Sequence, residues 1–124
     1  MFTHITAAAL LALTTQAPAA SMHQVQLSPA LSQQSKALVR CSAAFALISY
    51  GQDIGNEAAL KWPVLETRGK EFFVRALAQL MDETGLDREG ISALVGAEAQ
   101  RLTDAGETEK VMPACLIMLD GSGL

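Results

Sequence analysis

The sequence predicts an all-α fold: a single small domain of about four main helices, stapled by one disulfide. Three observations carry this. Apolar residues recur at helical spacing over residues 38–50, 65–81 and 91–102. No stretch of useful length alternates with the period of two that a half-buried strand requires. The chain has two cysteines, Cys41 and Cys115, near opposite ends of the helical region, where a bond between them ties the first helix to the last.

The elements follow from local signals. Ser28-Pro29 reads as an N-cap followed by proline at the first helical position, opening a helix that runs to Tyr50 and stops at Gly51. This helix is apolar nearly all round, with Leu38, Cys41, Phe45 and Ile48 on one side and Val39, Ala43, Leu47 and Tyr50 on another. A helix without a wet face belongs at the centre, covered by the others. Residues 51–56 form a turn, and residues 57–62 a short helical piece. Pro63 then opens a second long helix to Thr84, closed by Gly85. Its apolar stripe is Leu65, Gly69, Phe72, Phe73, Ala76, Leu77, Leu80 and Met81. The opposite face offers Glu66 with Lys70 and Glu71 with Arg75, each an i,i+4 pair in the favoured order. Asp87 caps a third helix over residues 88–104, with Ile91, Leu94, Val95 and Leu102 facing in and Gly106 ending it. Thr108 caps a fourth over residues 109–120, with Pro113 in or just past its first turn.

The N-terminus points to export. Residues 5–13 are apolar and uncharged, the length of a signal h-region and well short of the ~20 residues that span a bilayer. Ala17-Pro18-Ala19-Ala20 supplies small residues for cleavage, after Ala19 by first choice and after Ala20 by second. Residues 1–20 are therefore read as a signal peptide and residues 21–124 as one helical domain, with 21–28 a polar lead-in. The expected location is the periplasm or outside the cell, where two well-separated cysteines pair. After cleavage no membrane span is expected.

Charge and inventory narrow the function classes. Thirteen Asp and Glu against nine Lys and Arg give a net charge of −4, which argues against nucleic acid or an anionic membrane surface as partner. The two histidines, His4 and His23, both precede the helical region, so no serine or cysteine of the core has a histidine base. The usual nucleophilic triads are thereby removed, and no HExxH, phosphate-cradling loop or dinucleotide fingerprint is present. No catalytic residue, cofactor or metal ligand is assigned. Met81, Met112 and Met118 sit at helical core spacing and read as packing residues rather than soft copper ligands, and Phe72-Phe73 likewise reads as core. One conditional metal reading attaches to the N-terminus. Cleavage after Ala20 would expose Ser21-Met22-His23, whose amine, two amides and imidazole form a square-planar set suited to Cu(II) or Ni(II).

One ionisable position stands apart. Glu98 falls in the middle of the third helix's apolar stripe, between Val95 and Leu102. A carboxylate there either reaches a cation such as Arg40 or has its pKa raised by desolvation. Glu98 and Arg40 are thus the candidates for a buried ion pair or a pH-sensitive acid.

The segments Cys41-Ser42-Ala43-Ala44-Phe45-Ala46, Gly69-Lys70-Glu71-Phe72-Phe73-Val74 and Met112-Pro113-Ala114-Cys115-Leu116 resemble those of small exported helical proteins from alphaproteobacteria. That resemblance implies an exported all-α domain and no particular activity. In organisation the chain is also similar to periplasmic acid-stress chaperones, which are small, helical and held by one disulfide. The expected function is a non-catalytic binding or interaction protein: a holdase, an inhibitor or immunity-type partner, or an envelope accessory. Its expected partner is another protein. A small carboxylate-dependent periplasmic enzyme is the alternative.

Overall fold

A computed structural model describes residues 30–124. The expected signal peptide and lead-in, the expected Ser28-Pro29 cap and the Ser21-Met22-His23 metal reading lie outside the described residues. Among the described residues the structure is all-α: α1 (Gln33–Asp53), α2 (Glu57–Leu60), α3 (Glu66–Thr84), α4 (Arg88–Ala105) and α5 (Thr108–Gly121), with no strand.

The central place expected of the first long helix is what the structure shows. α1 packs against each of the other four helices, and α3 and α4 also touch each other. Leu38, Val39, Cys41, Ser42, Ala43, Ala44, Phe45, Ile48 and Gly51 of α1 are buried. Phe45, at 1% exposure, meets Phe72 of α3 edge-to-face with ring centroids 5.1 Å apart. That geometry sets the positive edge of one ring against the negative face of the other. Leu65, Leu80, Ile91, Leu102, Met112 and Leu119 complete the fully buried centre. Met112 is therefore a packing residue, as its spacing predicts. Tyr50 departs from expectation: it projects outward, 64% exposed.

The boundaries differ from prediction for identifiable reasons. In the described region α1 begins at Gln33 under a Ser32 cap, whose hydroxyl accepts from the Ser35 N–H at 3.1 Å. Glu83, near the end of α3, reinforces this start. Its carboxylate accepts from the Ser32 N–H at 3.3 Å and from the Ser35 hydroxyl. At the other end α1 runs through Gly51 to Asp53. Asn56 N–H bonds to Gly51 C=O and Gly55 N–H to Gln52 C=O, with Gly55 left-handed at φ 75°, the double bond of a Schellman ending. Gly51 has another purpose: a Cβ there would lie 2.7 Å from Ala59 Cβ. The glycine lets α2 sit directly on α1.

Pro63 does not start α3. Gln52 captures the linker instead, its amide nitrogen donating to the carbonyls of Ala59, Trp62 and Pro63 at 2.9–3.2 Å. Its Oε1 accepts from Leu65 N–H at 3.2 Å, so the chain first turns helical at Glu66. The predicted end at Gly85 (φ 72°) and the Asp87 cap, 2.8 Å from Gly90 N–H, are both present. Gly106 (φ 63°) ends α4 as expected. Thr108 lies inside α5 rather than capping it, and Pro113 is the sixth helical residue. It lacks the N–H that would reach the Glu109 carbonyl.

Cys41 and Cys115, 3% and 1% exposed, form the expected disulfide, with Cα atoms 5.2 Å apart. It joins α1 to α5 across 74 residues of sequence. No described helix is long and apolar enough to cross a membrane.

Candidate functional site

Two surface hollows bear on function, and the first holds the residues singled out in the sequence. Leu31, Lys36, Val39, Arg40, Glu98 and Arg101 line a hollow of about 370 Å³ between α1 and α4. Glu98 does not pair with Arg40. Its carboxylate takes two bonds from the Arg101 guanidinium, at 2.7 and 2.9 Å, one helical turn further along α4. Arg40 stands exposed on the far wall and contributes only a longer-range attraction. The reason is reach: an i,i+3 neighbour is already placed on the same face, whereas Arg40 must cross between helices. The Arg101 bonds hold the Glu98 carboxyl below its ordinary pKa, against the opposing effect of partial burial. Glu98 is part-buried, 17% exposed in its side chain, and Arg101 also binds Glu107 at 3.1 Å. The pair is a rim contact, not a buried one.

The predicted i,i+4 pairs on α3 are likewise absent from the described ion pairs. Arg75 instead donates to the Ser122 carbonyl at 3.0 Å. Arg68 donates to Asp120 at 2.8 Å and to the main-chain oxygen of Leu124. The two arginines of α3 thus bind the Asp120 carboxylate and the main-chain oxygens that follow the end of α5.

The second hollow was not anticipated. It is a groove of about 260 Å³ between α1 and α3, with Val95 of α4 at its edge. Its wall from α1 is Ser42, Phe45, Ala46 and Ser49, one helical face. Its wall from α3 is Leu65, Gly69, Lys70 and Phe73. The groove exists because small residues face one another there: Ala46 and Ser42 on one side, Gly69 on the other. A Cβ on Gly69 would sit 3.5 Å from Phe45 Cβ, so the two helices pack closely there, while Ala46 and Lys70 are exposed. Phe73, read from sequence as core, is only partly buried and forms the side of the groove.

Besides Ser49, two polar residues of this apolar hollow stand out. Ser42 is 3% exposed and its hydroxyl has no hydrogen-bond partner. A buried orphan hydroxyl is costly and uncommon. Lys70 stands at the mouth and takes no part in the ion pairs formed among the described residues. Sequence reasoning placed both residues on their helices but missed the groove. The available signal was the run of small residues, Ser42, Ala46 and Gly69, at contact positions. Among the described residues no group of three or more His, Cys, Asp or Glu is gathered at metal-binding distance. No family model, curated protein or solved structure matches this chain.

Proposed function

We propose that this chain is a non-catalytic binding protein that takes an apolar group into the α1–α3 groove. The observation that carries this is the groove itself: a mostly apolar concavity with one unpartnered buried hydroxyl and one unpaired cation. Binding sites are concave, mainly apolar, and carry a few placed polar groups. Export to the periplasm or beyond is part of the proposal. The Cys41–Cys115 disulfide suits an oxidising compartment, as does the resemblance to small exported helical proteins.

The test is titration with a neutral, environment-sensitive naphthylamine dye. The wild type should bind one dye per chain, and Ala46→Trp should abolish binding. Ala46 is exposed, so tryptophan covers the mouth without entering the core. Equal dye binding by both proteins rules the groove out as the site.

A protein partner, whether as client of a holdase or as a defined target, is the second reading. It is favoured by Tyr50, Ile54, Leu60 and Val64, four of the six exposed large apolar residues described, which fall within fifteen residues of sequence from the end of α1 through α2 to the linker. Exposed apolar side chains that gather into one patch mark interaction surfaces. Replacing all four by serine should leave dye binding intact and remove client protection in a light-scattering assay. Unchanged protection by that variant refutes this reading.

A further inference from the structure

Building on the groove as a binding site, we infer that its ligand is a free monocarboxylate with an apolar body of about eight carbons. Size comes first. At roughly 30 Å³ for a water-sized group, 260 Å³ accepts about eight or nine methylene-sized groups. That is too little for a partner helix, which presents anchors over two or more turns. It is enough for one short chain lying between Phe45, Phe73 and Leu65.

Charge comes second. The chain as a whole is acidic, at −4, yet the ionisable side chain lining this groove is a lysine. Lys70 lies one turn after Glu66, the partner its position predicts, and does not pair with it. An ammonium at the mouth of an apolar slot is complementary to an anionic head on an apolar tail. Ser49, only partly buried on the α1 wall, lines the groove and can donate to that head.

The experiment is isothermal titration of the wild type, Lys70→Gln and Ala46→Trp with octanoate and with octanol, at low and at physiological salt. Octanol shares the chain and lacks the charge. The wild type should prefer octanoate by about threefold to fivefold, as expected for a partly exposed ion pair, and salt should reduce that preference. Lys70→Gln should bind the two ligands equally, and Ala46→Trp neither. Equal binding of octanoate and octanol by the wild type overturns the inference, as does a preference that survives in Lys70→Gln. If both ligands fail while the neutral dye still binds and is blocked by Ala46→Trp, the carboxylate assignment is wrong and the groove remains the site.

Discussion

Reducing the Cys41–Cys115 bond should cost this domain about 4.4 kcal/mol, close to a third of the stability of even a robust domain. The figure follows from where the bond sits. It closes a loop of 74 residues that contains α2, α3 and α4 entire. The chain-entropy relation assigns about 15 cal/mol/K to such a loop, or about 4.4 kcal/mol at 25 °C. Both sulfurs are buried, at 3% and 1% residue exposure, so reductant will not reach them in the folded state. The protein must be reduced in denaturant and then refolded. Urea unfolding of the oxidised and reduced forms, followed by circular dichroism, measures the difference on one sequence and avoids any void left by substitution. With a slope of about 1–1.5 kcal/mol/M the midpoint should fall by about 3–4 M. Intact mass before and after reduction checks that the bond was present. A difference under about 1.5 kcal/mol would refute the reasoning, because it would mean that the unfolded chain already holds α1 and α5 together without the bond.

Three further outcomes are expected. Gly51→Ala should lower stability by about 1–3 kcal/mol, since its Cβ would press on Ala59 Cβ at 2.7 Å; Gly96→Ala, exposed in mid-α4 with nothing within 4 Å, should raise it by about 0.5–1 kcal/mol. Thermal melts that move in the same direction for both would contradict this. Glu98→Gln should destabilise by about 0.5–1 kcal/mol at pH 7, the worth of a partly exposed, two-bonded pair. The Glu98 pKa is lowered in the fold, so that stability is present above the unfolded value near ~4.3 and lost as pH falls through the folded one. Denaturation across acid pH should show the variant's deficit at pH 7 and its decline as pH falls through the folded Glu98 value. Glu83 is lowered too, by its bonds from Ser35 and Ser32, with the same sign. Amide exchange in the first turn of α1, corrected for intrinsic rates, should quicken as pH drops below the ordinary carboxylate range; in Glu83→Gln it should show no such step.

Much of the architecture was legible because its signals are local. Helical periodicity, the Asp87 cap, and Gly85 and Gly106 at left-handed ends act within one or two turns, so they can be read without knowing what lies across the core. The same holds for the nearly all-apolar α1: a helix with no wet face has nowhere to go but the middle. The two cysteines on core helices likewise allowed one pairing only.

What the sequence could not decide is anything set by which residues meet across helices. Gly51 reads as a stop signal, and only the approach of α2 shows it to be a contact. Gln52 reads as an ordinary polar residue, and only the folded linker reveals the four bonds that delay α3. Glu98 had two cations within plausible reach, and distance chose Arg101 over Arg40. The groove between α1 and α3 is the extreme case. Ser42, Ala46, Gly69 and Lys70 are unremarkable singly and far apart in the chain. They become a site because small side chains on two packed helices leave a hollow between them, a property of packing that no single segment contains.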